Sequence, residues 1–240
     1  MAANSTGRRI VKWHPSYPSH LRAALAAAPL LALAAVAAAQ EPSQPIRLPD
    51  ARREGAMTVE AALWARRSIR DLKPDALTLA DAAQLLWAAQ GKNRPDGHRT
   101  APSAMGVYPL EVYLVAGSVE GLAPGVYHYR SATHDLVLAQ AGDRRAELTA
   151  APGRPPGWAA TAPLIIVFAG AWDRASRRFG PRTERFAAME VGFAAQNVYL
   201  QAAALGLGTT FMASYNDSAM TRLLAAEERP MGVMPVGKPR

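Results

Sequence analysis

The stretch at residues 183–205 limits most tightly what this chain can fold into. It reads as a long helix that is nearly apolar throughout and is stopped by Gly206. A helix apolar on all sides is buried on all sides, so the rest of the fold has to wrap it. Residues 163–169 form a second, fully apolar run, of a length that suits a buried central strand. Around these two, the pattern predicts helices over 58–67, 78–90, 143–150 and 217–225, the second opened by a Thr78 capping signal and closed by Gly91. Strands are predicted over 110–115, 126–129, 136–138, 209–213 and 231–236. Strands and helices mix without strict βαβ alternation. The class is therefore α+β, a sheet flanked by helices.

The chain has 240 residues, half of them hydrophobic, which allows one domain with a sizeable core and a tail. It has no cysteine, which excludes disulfides, thiolate metal sites and cysteine nucleophiles. None of the five histidines forms an H-x-x-x-H pair, so no metal site is expected. Of the net charge of +8, much is concentrated in Arg8, Arg9, Lys12 and Arg22, where no acid balances it. The remainder is mildly basic, which suits an anionic cofactor and gives little ground for nucleic-acid binding.

Those four cations open a segment whose residues 21–39 are apolar and acid-free and end in Ala37-Ala38-Ala39-Gln40, an A-x-A-like cleavage site. Residues 1–39 therefore read as an export signal, with an uncleaved anchor as the alternative. Arg8-Arg9-Ile10-Val11 resembles a twin-arginine signal, and ordinary secretion stands beside it as a route. The expected location is periplasmic or secreted, with no stable membrane span after cleavage. Residues 40–56 hold Pro42, Pro45 and Pro49 and read as a linker or extended arm, ahead of a domain at 57–240.

Three stretches carry the chemistry. Arg66-Arg67-Ser68-Ile69-Arg70 puts three guanidiniums and a hydroxyl within five residues, a natural phosphate cradle; a solvated basic patch at a helix end is the plainer reading. Residues 99–109 contain Pro102-Ser103-Ala104-Met105-Gly106, whose small side chains let backbone approach a flat ring; otherwise they are a turn into Leu110. Gly206-Leu207-Gly208-Thr209-Thr210-Phe211-Met212-Ala213-Ser214 joins a helix to a strand, and its amides are free to act as donors unless it is an ordinary joint. His98 and Tyr108 are the nearest proton-donor candidates, although a His in a polar loop is more often idle.

In order, R-R-S-I-R, A-P-S-A-M-G-V-Y-P-L-E-V-Y-L-V, G-V-Y-H-Y, A-A-Q-N-V-Y-L-Q-A-A-A-L-G-L-G and P-V-G-K-P resemble the nitroreductase superfamily, and within it the SagB/ThcOx-type dehydrogenase branch. The resemblance runs from Ala61 to Pro239; each motif is weak alone, and the five together are specific. It implies a nitroreductase-like α+β fold with a mostly antiparallel central sheet, a homodimer, FMN at the interface, and hydride transfer through flavin N5 to or from a small organic substrate. NAD(P)H is the candidate electron donor. Arg66, Arg67, Ser68 and Arg70 would hold the phosphate, with Lys238 as a further partner. Pro102, Ser103, Ala104 and Gly106 would line the flavin of the other subunit, and Met212, Ala213 and Ser214 would lie at its N5 side. Gly106 stands where many members carry asparagine, which favours the SagB-like branch. Arg178-Phe179-Gly180 stands where azoline-oxidising members carry a Lys-Tyr pair before glycine. Arginine does not deprotonate and phenylalanine has no hydroxyl, so azoline oxidation is not expected. The alternative to an enzyme is an idle flavin-binding or partner-binding subunit that keeps the fold.

Overall fold

The computed structural model describes residues 44–149, 157–224 and 228–240. The expected signal at 1–39, residues 40–43, the last residue of the helix predicted over 143–150, residues 151–156 and the last residue of the helix predicted over 217–225 lie outside the described residues.

Among the described residues seven strands make one antiparallel sheet: β1 (Ile46–Arg47), β2 (Leu110–Ala116), β3 (Gly125–Arg130), β4 (Asp135–Ala141), β5 (Leu164–Ala171), β6 (Gly208–Thr209) and β7 (Glu228–Gly237), in the spatial order β1-β4-β3-β2-β5-β7-β6. The helices are α1 (Val59–Ala65), α2 (Leu79–Gln90), α3 (Arg145–Thr149), α4 (Trp172–Phe179), α5 (Thr183–Ala204) and α6 (Asp217–Leu223). Thr58 caps α1 through the Ala61 amide, and Thr78 caps α2 through the Asp81 amide while donating to the Asp81 carboxylate.

Strand alternation builds two cores. Leu110, Val112 and Leu114 of β2, with Leu164, Ile166 and Phe168 of β5, meet Leu85 and Leu86 of α2 and Val191, Ala194 and Val198 of α5. Tyr113, Val115, Ile165 and Val167 point the other way, toward Leu148 of α3 and Met220 and Leu223 of α6. Because β5 is covered on both faces, both registers of its side chains are apolar, and the run at 163–169 follows.

Two expectations change, at α5 and at 209–213. The described part of the segment expected as a linker or extended arm, 44–56, lies against the domain: Ile46 and Arg47 pair with Leu136 and Asp135, Leu48 is buried, and the Arg52 backbone exchanges hydrogen bonds with the Gln84 side chain. Helix α5 is not buried on all sides. Met189 and Phe193 are 50% and 48% exposed, and Val59, Leu63 and Trp64 of α1 are exposed as well, Trp64 at 92%. The all-round apolar pattern thus leaves an open apolar face in a single chain. The strand predicted over 209–213 contracts to β6 and an isolated Met212–Val233 bridge. Helix α4 had no apolar period to announce it, since only Ala175 and Phe179 of its eight residues are buried.

At the start of β2, Glu111 turns toward the second face, bonded to His128 Nε2 at 2.9 Å and to the Arg174 guanidinium of α4. Burial pushes its carboxyl up, but the bonds from His128 and Arg174 outweigh burial and hold it below its ordinary value of 4.5. An acid held low in the folded state stabilises above its unfolded value, and that stability is lost as pH falls through the folded value. Denaturation midpoints of Glu111→Gln, followed as pH drops below about 4.5, should therefore fall less steeply than those of the wild type, from a lower starting stability. Parallel curves would remove Glu111 from the acid response.

Candidate functional site

Helix α1 ends at Arg66, and the chain then runs extended along the β6 edge of the sheet. The Ile69 amide donates to the Thr209 carbonyl at 2.9 Å, Leu72 bridges Pro239 antiparallel, and the Lys73 amide donates to the Lys238 carbonyl at 2.8 Å. Gly208 makes this approach feasible: a Cβ there would lie 2.8 Å from Ile69 Cγ2 and 2.9 Å from Leu72 Cδ2. Between the edge and the end of α5 lies a cavity of about 290 Å³, lined in part by Arg66, Arg67, Ile69, Tyr199, Thr209 and Pro239.

The cavity is basic. Among the described residues Arg66, Arg67, Arg70 and Lys238 have no carboxylate partner, whereas the adjacent Arg240 is paired with Asp71 at 3.1 Å. Arg66 instead sets its guanidinium 5.1 Å from the centre of the Tyr199 ring. Uncompensated cations around a cavity make a seat for an anion.

The start of the joint after α5 lines the cavity through Gly206, Leu207 and Thr209, whereas the expected site residues Met212, Ala213 and Ser214 are not among its lining residues. Further along the joint, the Phe211 amide donates to the Tyr199 hydroxyl at 2.7 Å and the Met212 amide to the Val233 carbonyl at 2.9 Å. Ala213 and Ser214, which follow, are exposed and have no backbone hydrogen bond among the described residues. The Tyr199 hydroxyl also lies 3.3 Å from Ser68 Oγ and 3.4 Å from Thr210 Oγ1. Burial raises its pKa, but the bonds with Ser68, Thr210 and the Phe211 amide, and the Arg66 charge, bring it below the ordinary tyrosine value.

Pro102, Ser103, Ala104 and Gly106 lie on a separate turn, with no hydrogen bond to the basic cavity among the described residues. The turn is strained: Met105 and Tyr108 have φ of 56° and 49° beside Gly106 at 67°. Ser103 Oγ accepts the Tyr108 amide at 2.8 Å and also bonds Glu190, a carboxylate of α5 that is 3% exposed. Glu190 further accepts from Gln90 Nε2 at 3.3 Å and from the Leu110 amide, yet burial outweighs these bonds and raises its pKa. The Ser103 hydroxyl is thus turned inward. His98 is paired with Asp96 at 2.8 Å on the surface. The Tyr108 hydroxyl accepts the Arg99 amide, and its ring lies 4.5 Å from the Arg99 guanidinium. Both proton-donor candidates are held in local structural contacts.

This arrangement of sheet and long helix has known relatives. The sequence profile of the nitroreductase family matches residues 63–238. The chain belongs to the nitroreductase family. It is 37% identical over 193 residues to a protein of Methanocaldococcus jannaschii provisionally named a nitroreductase, covering 80% of this chain and 96% of that one. A crystal structure from Ralstonia eutropha JMP134, also provisionally named a nitroreductase, superimposes with a TM-score of 0.71 at 32% identity over 82% of this chain and 90% of that chain. One from Anabaena variabilis ATCC 29413 shares the fold, with a TM-score of 0.66 at 23% identity over 76% of this chain and 38% of that chain.

In this nitroreductase-family chain, then, the motif after α1 and the joint after α5 meet at one cavity, with Lys238 drawn alongside by the Lys73 pairing. Two polar residues of α5 escaped the sequence reading. Tyr199 and Glu190 sit inside an apolar helix, and only their polarity in that context could have flagged them. Arg178 is exposed, and Phe179 is packed into the interior with its ring 4.6 Å from that of Phe186.

Proposed function

We propose that this protein is an FMN-dependent oxidoreductase of the SagB/ThcOx-type branch, with its phosphate-binding group at Arg66, Arg67, Ser68, Arg70 and Lys238. The observation that supports the reading is a cavity lined by Arg66 and Arg67, two cations without a carboxylate partner among the described residues, with Arg70 and Lys238 near them in the chain pairing. When bound, FMN would supply hydride transfer through its N5 to or from a small organic substrate, with NAD(P)H as candidate donor. The guanidiniums and the Lys238 ammonium would neutralise and orient the doubly negative phosphate. Met212, Ala213 and Ser214 would lie at the N5 side of the ring, with backbone amides of this joint as the donors to N5. With Phe179 in the interior and an arginine before it, no general base stands where azoline oxidation needs one.

Purified protein should show flavin absorbance or acquire it on adding FMN. Arg66→Ala combined with Arg70→Ala should weaken binding by about a hundredfold or more, because each charge-assisted bond contributes ~1.5–3 kcal/mol. Unchanged retention would mean that the phosphate sits elsewhere. Bound flavin that is reduced by NAD(P)H or dithionite and reoxidised by quinones or nitroaromatics supports an enzyme; reoxidation by oxygen alone supports the idle subunit.

The reading includes a homodimer. The exposed Met189, Phe193, Leu63 and Trp64 are supported as its apolar face by their position on two packed helices, and the strained turn bearing Pro102, Ser103, Ala104 and Gly106 would serve the second subunit's cofactor. Sedimentation should give a dimer for the wild type and a shift to monomer for Phe193→Glu; a wild-type monomer would end this part of the reading. Export to the periplasm or medium rests on the composition of residues 1–39. N-terminal sequencing of the protein recovered outside the cytoplasm should begin near Gln40, and a chain retained whole in the cytoplasm would overturn it.

A further inference from the structure

The hydroxyl of Tyr199 reaches both segments that border the basic cavity, and a count of its protons and lone pairs gives it a task. A phenol has one proton to donate and two lone pairs. The Phe211 amide fills one lone pair at 2.7 Å. Ser68 Oγ lies at 3.3 Å and Thr210 Oγ1 at 3.4 Å, so the phenol proton has two oxygens within reach and can serve only one at a time. With the proton on Thr210, Ser68 donates to the second lone pair. If Ser68 turns its own proton to an anion among the guanidiniums, its oxygen becomes an acceptor, and the phenol proton can pass to it.

The structure assigns to Tyr199 a coupling role: its hydroxyl links Ser68, at the basic end of the cavity, to the Thr210 hydroxyl and the Phe211 amide, so that an anion taken up at Ser68 is felt at the joint that leads to Met212, Ala213 and Ser214. Packing alone does not ask for this group. The ring is half-buried and supports Arg66, and phenylalanine would do both. The hydroxyl adds only the three polar links. The joint is well placed to transmit the change, because the Phe211 ring is seated on Gly232, where a Cβ would come within 2.2 Å of it, and the Met212 amide is pinned to Val233. Tyr199 is therefore a positioning residue, acting through Ser68 and Phe211.

The proposal rests on the flavin reading, and a comparison of FMN with riboflavin, which lacks the phosphate, separates the two. The probes are titrated into wild type, Tyr199→Phe, Ser68→Ala and the double variant, with melting temperature as a control for folding. Tyr199→Phe should lower FMN affinity about tenfold and riboflavin affinity much less. The double variant should lose no more than about the larger single loss, because both substitutions break one link. The absorption bands of FMN bound to Tyr199→Phe should move toward those of free flavin. Equal losses for FMN and riboflavin, or additive losses in the double variant, would overturn the coupling while leaving the flavin reading intact. A wild type that takes up neither compound would overturn both.

Discussion

The main-chain pairing along the β6 edge is the constraint on which the site depends. Through the Ile69–Thr209 bond, the Leu72–Pro239 bridge and the Lys73–Lys238 bond, three segments remote in sequence are held side by side. None of these links uses a functional side chain. They are backbone contacts that need a glycine at 208 so that the segments can close up, and they leave Arg66, Arg67 and Arg70 without a carboxylate partner among the described residues. Arg240 marks the contrast, since it bonds Asp71 and the Leu72 carbonyl and so belongs to the pairing rather than to the cavity. Cations kept out of local ion pairs keep their charge available for an incoming anion.

A second division of labour runs through helix α5. Its apolar residues hold the sheet, while two polar side chains on it each organise a different part of the surface. Tyr199 reaches the basic cavity, and Glu190 reaches the turn at 103–108. The turn carries local strain at Met105 and Tyr108, which persists only because the surrounding bonds over-determine it: Ser103 to the Tyr108 amide, Glu190 to Ser103 and to Leu110, and Arg99 to Gln90. One rigid element thereby sets the relation between two surfaces that share no direct bond.

Much of the fold was legible in the sequence because burial writes itself into pattern. The run at 163–169 suited a buried central strand, which β5 is, and Thr78 and Gly91 bracketed α2 where the structure has it. What escaped was whatever pattern does not record. Helix α4 is mostly charged, β1 and β6 are two residues long, and the arm at 44–56 is held by an edge pairing that proline-rich composition hides. The apolar character of α5 was read as burial within one chain, although part of it is an uncovered face. The motif after α1 was visible as chemistry from its residue types. Its meeting with Tyr199 and with the joint was not, because long-range adjacency has no local signature.

The distance along the chain that the site spans has a consequence for its assembly. The Arg240 side chain meets the Leu72 carbonyl across 168 residues, and the Pro239 bridge lies beside it. Closing contacts of such separation costs loop entropy that only the rest of the folded domain offsets. A nascent or truncated polypeptide would have the arginines but no closed wall to set against them. Capture of a ligand at this edge would therefore report that the domain has been completed, and the ligand would tighten a finished molecule rather than nucleate an unfinished one.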